Sequence, residues 1–317
     1  MKTIAILALV GIAAAAFFAF SSESSSANES AFRDFLETHR VGYGTTEEYS
    51  FRLGVFNDNL KRIEELNRLN PEAFFAVNKF ADRTPEEMSK MMTVQAPVRR
   101  GPVRHVAPKN AEAKDWSGMW GKIKDQGQCG SCWAFSATAA FEARYALKNG
   151  QSSVSTYFSE QELVDCDPKS YGCNGGWMDN AFEYLETHGF CTEDQYPYTA
   201  RDGTCKASSL CGSGPLDKAF VDIPAGNEDK LTTEMVATGP ISVAVDASTW
   251  SFYSGGIMSS CGTGLNHGVT LVAITPSESS VTIRNSWGSS WGEKGLIRLK
   301  LGQDTCGYAD AASYPTF

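Results

Sequence analysis

The chain of 317 residues is 42% hydrophobic and 21% charged, a globular composition with length enough for one or two domains. Its formal net charge of −9 is unevenly spread: residues 1–109 hold 14 basic and 13 acidic residues, residues 110–317 hold 14 and 24. So acidic a C-terminal part argues against nucleic-acid binding, and no stretch beyond residue 20 is apolar and long enough to cross a bilayer.

Lys2 is followed by an unbroken apolar or small run from Ile4 to Phe20 and then by the serine-rich "SSESSS". The run is short for a membrane span. Its basic start, apolar middle and small exit residues (Ala19, Ser21) make residues 1–21 a secretory leader. The chain is therefore expected in the secretory pathway, where thiols oxidise. Its end point would be a lysosome, a digestive vacuole or the extracellular space, with no membrane attachment once the leader is gone.

Thr45-x-x-Glu48 reads as a capping box, and the helix that it starts runs to Leu69 with Gly54 as its one Gly or Pro. Glu48, Arg52, Phe56, Asn59, Ile63 and Asn67 follow steps of 4, 4, 3, 4 and 4, which places them on one helical face. That stripe is too polar for a simple buried face. It resembles the ERFNIN signature of papain-family propeptides, in the cathepsin L-like branch. "AVNKFAD" (76–82) resembles the same family's G-x-N-x-F-x-D segment, with Ala76 in the glycine position. The resemblance implies an inhibitory propeptide over residues 22–109. Its segment around Asn78–Asp82 is expected in the cleft of a peptidase domain, and carboxylates such as Glu48 and Asp82 should release it when protonated at acid pH.

Next comes "TVQAPVRRGPVRHVAPKN", with Pro97, Pro102 and Pro108 and the basic Arg99, Arg100 and Arg104. Prolines without hydrophobic periodicity predict an extended, exposed linker over 93–109, a joint open to proteolysis. Beyond it the pattern is first helical. One helix runs from Cys132 to about Lys148 before Asn149-Gly150, Ser159-x-x-Glu162 starts a second, and "WMDNAFEYLETHG" ends a third at Gly189. "ISVAVDA", "VTLVAI", "SVTIRNSW" and "LIRLKL" then alternate as strands. Helices first and strands second predict an α+β domain of two unlike lobes over 110–317.

Nine cysteines, at 129, 132, 166, 173, 191, 205, 211, 261 and 306, follow the joint. Eight can pair; the ninth needs another use, and a reactive thiol is one. In "QGQCGSCWAFS" (126–136), Cys129 and Cys132 could be a redox pair, half of a metal site or two unrelated thiols. A redox pair would leave seven others, again odd, and the Cys205 to Cys211 spacing is too wide for the second half of a zinc ribbon. Neither metal nor cofactor is implied. Cys132 falls at a predicted helix start, where the dipole favours a thiolate. Of the four histidines, His39 and His105 lie before or within the joint, and His188 sits in a last helical turn beside Gly189. His267 in "LNHGVTLVAI" remains as the candidate base, with Asn285 in "RNSWGSSWG" to orient it.

"CGSCW", the "GCNGG" loop, His267, Asn285 and "NSWG", in this order, resemble the papain and cathepsin pattern over nearly the whole chain after the leader. The resemblance implies a papain-like two-lobed fold and a set of roles. Cys132 would be the nucleophile, with His267 as its base and Asn285 holding the ring. The Gln126 side-chain amide and the Cys132 N–H would stabilise the oxyanion. Trp287 would cover the His267–Asn285 bond, with Trp291 beside it, and Gly175 and Gly176 would pair with the substrate backbone. Trp177, Met178, Ala244, Leu265 and Ala311 would line an apolar second subsite. The resemblance also implies bridges Cys129–Cys173, Cys166–Cys205 and Cys261–Cys306; Cys191 and Cys211, which flank "TEDQYPYTARDGTCKASSL", should form a fourth. "ITPSESS" replaces a Gly-Tyr-Gly run of many relatives, and Ser117 stands where arginine is common; neither touches the catalytic set.

The expected protein is thus the latent precursor of a monomeric cysteine endopeptidase, acting on protein and peptide substrates, with its own propeptide as intramolecular inhibitor. A peptide-binding or inhibitory relative without catalysis would have lost the nucleophile, and this chain keeps every catalytic position. A thiol oxidoreductase would show a reducible Cys129–Cys132 pair instead of one free thiol.

Overall fold

The computed structural model describes residues 28–95, 103, 105–211 and 214–317. The expected leader and the arginines of the joint (Arg99, Arg100, Arg104) lie outside the described residues. The chain divides into two compact units, one of residues 1–63 and 77–83, the other of 64–76 and 84–317.

In the first unit, α1 (residues 28–39) and α2 (Thr46–Leu69, which continues into the second unit) bury Phe32, Phe35 and Phe56, whose rings lie 5.2–6.0 Å apart. Thr45 accepts the Glu48 N–H at 3.1 Å and caps α2. The polar stripe has a structural use, because its side chains bracket backbone instead of filling a core. Asn59 Nδ2 donates to the carbonyls of Ala81 and Arg83, both at 2.9 Å, and Arg52 donates to that of Asp82. The Asp82 carboxylate accepts from the Tyr43 hydroxyl, and Glu48 faces Arg52 at 4.0 Å. The "AVNKFAD" segment is therefore engaged with α2.

The second unit begins with the last turn of α2 and with β1 (Ala73–Phe75), where Asn67 bonds both backbone groups of Phe75. α3 (Pro85–Ser89) carries a full capping box, Thr84 with Glu87. After the short β2 (Lys114–Asp115) come three helices: α4 (Cys132–Lys148), α5 (Glu160–Cys166, capped by Ser159) and α6 (Met178–Leu185). α6 stops four residues before Gly189. That glycine serves a close approach to Gly214, not the helix cap that the sequence predicted. Lys124 ties the helices together, donating to Glu160 at 2.7 Å and to Glu142 at 3.1 Å.

The β lobe follows α7 (Ala207–Leu210): β3 (Ala219–Ile223), α8 (Glu228–Thr238), β4 (Ile241–Val245), β5 (Tyr253–Met258), β6 (His267–Thr275), β7 (Ser280–Arg284), β8 (Leu296–Lys300) and β9 (Ala312–Thr316). Among the described residues the sheet order is β1-β5-β8-β7-β6-β4-β9-β3, with β2 beside β6. Only the β5–β8 pair is parallel. β8 buries Ile297 and Leu299 on alternate positions, as a half-covered strand should, whereas every residue of β4 is buried. Its Ser242 hydroxyl meets the Ser136 carbonyl of α4 at 3.0 Å, so the two lobes are locked at this seam.

The predicted linker is not loose throughout. Val106 bridges to Asn227 and exchanges hydrogen bonds with Gly226 and Asp229, while His105 Nε2 lies 2.8 Å from the buried Glu228 carboxylate. Glu228 also accepts from Gly302 N–H and the Tyr308 hydroxyl.

Four disulfides join Cys129 to Cys173, Cys166 to Cys205, Cys191 to Cys211 and Cys261 to Cys306, with Cα separations of 4.7, 4.7, 5.2 and 4.9 Å. Glu162 lies beside Cys191 and Cys211 in a grouping with metal-ligand spacing, but the two sulfurs are joined to each other. The Cys191–Cys211 link closes a loop across 20 positions, which stabilises by about 3 kcal/mol in the chain-entropy model. Changing both cysteines to serine should lower the Tm of the processed enzyme by on the order of 10 °C in calorimetry, with the active-site thiol titre unchanged. An unaltered Tm would show that the link holds nothing together.

Candidate active site

Cys132 is the first residue of α4, fully buried and the one free cysteine among the described residues. The N-cap residue Ser131 makes no cap hydrogen bond. Its hydroxyl is taken by Tyr198 at 2.6 Å, which leaves the positive end of the helix to the sulfur. Burial pushes the Cys132 thiol up, and the backbone N–H groups of Gly268, Thr93 and Trp133 partly offset it.

β6 brings His267 to this helix end. At Gly268, the next residue, a Cβ would sit 3.2 Å from the Cys132 carbonyl and from Trp133 Cα, so strand and helix approach as closely as glycine allows. His267 Nε2 lies 2.8 Å from Asn285 Oδ1, which also accepts the Ser286 N–H at 2.8 Å. An amide oxygen only accepts, so the ring proton is on Nε2 and Nδ1 carries a lone pair. Trp287 lies over the ring with centroids 4.9 Å apart, and Trp291 meets Trp287 edge-on at 5.1 Å. Burial lowers His267 to about 4, against the Asn285 hydrogen bond.

Gln126 is buried, and its Nε2 donates to the carbonyls of Cys129 at 2.9 Å and Met91 at 2.8 Å. The Ser286 hydroxyl donates to Gln126 Oε1 at 2.7 Å, and the Ser286 carbonyl accepts the Gln126 N–H. Ser286 thus binds both the orienter and the amide. The sequence marked "NSWG" as a motif but gave this serine no task.

Residues 91–95 lie across these groups. Val94 bridges to Gly176 in parallel and donates to the Asn266 carbonyl at 3.0 Å, and Gln95 N–H donates to the Gly176 carbonyl at 3.0 Å. The Thr93 carbonyl comes so close to Gly175 that a Cβ there would collide with it, and Gly175 has a φ of +116° besides. The Val94 side chain belongs to one apolar cluster with Trp177, Met178, Ala244 and Ala311, with Leu265 against its edge. All twelve single residues that the sequence named for catalysis and substrate binding therefore line one region or its immediate support. Met91–Gln95 reaches Cys132, and the carbonyls of Ala81 and Asp82 accept from Asn59 and Arg52 of α2. No periodicity marks Met91–Gln95, since its backbone makes most of the contacts.

Residues 107–316 match the family model "Papain family cysteine protease", and residues 32–88 match "Cathepsin propeptide inhibitor domain (I29)". The chain belongs to the papain family. This papain-family chain is 39% identical to Cathepsin L1 of Drosophila melanogaster over 89% of its own length and 83% of the relative's. It is 40% identical to Cathepsin L 1 of Paramecium tetraurelia, over 86% and 88%. Among solved structures, digestive procathepsin L 3 of Tenebrio molitor larval midgut superposes with a TM-score of 0.78 at 35% identity, covering 92% of this chain and 99% of that one. The proform of the ragweed pollen cysteine protease Amb a 11 gives 0.80 at 31%, over 93% and 95%. The papain-family protein is a cysteine endopeptidase of cathepsin L-like type, made as a zymogen with an inhibitory propeptide domain. No helix among the described residues is long and apolar enough to cross a membrane.

Proposed function

We propose that Cys132 is the nucleophile of this endopeptidase and His267 its base and acid. Nδ1 of His267 takes the thiol proton as sulfur attacks the peptide carbonyl. The oxyanion receives hydrogen bonds from the Cys132 N–H and Gln126 Nε2. As the intermediate collapses, the C–N bond breaks, the imidazolium protonates the leaving amine, and a thioester remains. Water, deprotonated by His267, then hydrolyses it. Asn285 keeps the ring in the productive tautomer, and Ser286 keeps the Gln126 nitrogen turned toward the reacting carbonyl.

Met91 carries this reading furthest, because its carbonyl already accepts from Gln126 Nε2 as a substrate carbonyl must. We assign residues 1–21 to the leader, 22–109 to the propeptide and joint, and 110–317 to the mature domain, which works as a monomer on protein and peptide substrates. Its destination is a lysosome-type or digestive vacuole or the extracellular space.

Latency follows from Met91–Gln95 covering Cys132. α3 anchors that segment from one side, and its own N–H and the Thr84 side chain hold the Glu86 carboxyl below its ordinary value. A carboxylate of that kind stabilises above its unfolded pKa, about 4.5, and the gain fades as pH falls through the lower folded value. Covered by Met91–Gln95, the precursor should be inactive at neutral pH and its thiol closed to iodoacetamide. Acidification should bring cleavage upstream of residue 110, activity, and one alkylatable thiol per chain. Full activity of uncut precursor at neutral pH would overturn the assignment.

Val94 also predicts specificity. With its apolar neighbours, leucine, valine or phenylalanine should be preferred two residues before the scissile bond. Ala311→Glu should shift a substrate library toward arginine there. A library in which the unmodified enzyme already favours arginine sinks the idea.

A further inference from the structure

Thirteen asparagines occur in the chain, and one of them, Asn28, starts an Asn-x-Ser/Thr tripeptide: Asn28-Glu29-Ser30. Such a tripeptide without proline is the acceptor for N-linked glycan in the secretory route. Three further observations favour its use. Asn28 lies in α1, one turn ahead of the buried Phe32; it is half-buried, and Ser30 is exposed. Neither the Asn28 amide nor the Ser30 hydroxyl has a hydrogen bond among the described residues. Eight of nine cysteines are paired in disulfides, which places folding in the oxidising compartment where glycan transfer occurs.

We propose that Asn28 carries the chain's N-linked glycan and that the latent form alone bears it. The site rests on the secretory reading made above. In the transfer, Asn28 Nδ2 forms a C–N bond to the anomeric carbon of an oligosaccharide held on a polyprenyl diphosphate. The bond from that carbon to the diphosphate oxygen breaks, the electron pair leaves with the diphosphate, and the amide proton passes to a base of the transferase. Asn28 lies upstream of the joint, and no acceptor tripeptide occurs in 110–317. Activation therefore removes the glycan together with the inhibitor. A lectin that reads it would recognise zymogen and ignore mature enzyme, so carbohydrate-dependent sorting ends when activity begins.

The test is expression of the full chain in a eukaryotic secretory host, followed by peptide-N-glycosidase digestion before and after acid processing. The precursor should lose the mass of one glycan, with Asn28 converted to aspartate in the mapped peptide; the mature enzyme should not change. Asn28→Gln and Ser30→Ala should each abolish the shift and Ser30→Thr should keep it, all three yielding mature enzyme of unaltered kcat/KM. A secreted precursor insensitive to the glycosidase, a shift that persists in Asn28→Gln, or a glycan on mature enzyme overturns the site. A chain that never enters the secretory route overturns the secretory reading and the site with it.

Discussion

Replacing His267 with alanine should lower the kcat of the processed enzyme on the order of 10⁴-fold, the upper range for loss of a positioned general base. The ring meets the requirements of that role in this chain. Asn285 Oδ1 binds Nε2 at 2.8 Å and so reserves the Nδ1 lone pair, while Trp287 lies over the ring and keeps water from the bond. KM should change little, because the proposed substrate contacts are other residues: Gly175–Gly176 for the backbone and Trp177, Met178, Ala244, Leu265 and Ala311 for the side chain. The sharper readout is the pH dependence of iodoacetate alkylation. In the unmodified mature enzyme the imidazolium should sustain thiolate reactivity well below pH 8, whereas in the variant alkylation should follow an ordinary buried thiol and rise only in alkaline solution. A variant within tenfold of normal kcat, or one with an unchanged alkylation profile, removes His267 from the mechanism.

The elements that the sequence made legible are those whose residues answer to a local rule. α4 ends at Lys148 because Asn149-Gly150 leaves the helix, and α5 starts where the Ser159 hydroxyl takes the Glu162 N–H at 3.0 Å. β4 and β6 read as apolar runs because both faces are covered. β1, β5 and β3 did not stand out. β5 contains Gly255 and Gly256 and pairs on one side with β1 and on the other with β8, both distant in sequence. The proposed catalytic residues were legible as residue types in order, but their meeting depends on the close approach of β6 to α4 at Gly268. Ser286 and Met91–Gln95 were illegible for the same reason. One acts through a hydroxyl whose partner is 160 positions away, and the other acts chiefly through main-chain groups that any sequence possesses. The joint was misjudged in part because proline and arginine report exposure, whereas the backbone pairing of Val106 and the His105–Glu228 contact leave no compositional trace.

Gln126→Ala should lower kcat by about 10²–10³-fold, the usual consequence of losing one oxyanion donor from a water-excluded site. Because the bond to the developing oxyanion strengthens toward the transition state, KM should stay within a few-fold and iodoacetate alkylation of Cys132, which forms no oxyanion, should proceed at its normal rate and pH profile. A peptide aldehyde, whose adduct places an oxygen where the oxyanion forms, should lose affinity in parallel with kcat. Ser286→Ala should give the same pattern at smaller amplitude, since the amide remains held by the Cys129 carbonyl at 2.9 Å but is freer to turn. Gln126→Ala carries a second consequence that a purely structural role would not produce. In the precursor, Met91 loses the donor of its 2.8 Å hydrogen bond in Gln126→Ala, a contribution of about 1 kcal/mol, so the covering segment should open roughly five times more often. The variant precursor should then be alkylated faster than the unmodified precursor at neutral pH, although its processed form is the poorer enzyme. Equal losses of kcat and alkylation rate would instead mean that Gln126 supports the fold of the loop before Cys132 and donates nothing to the reaction.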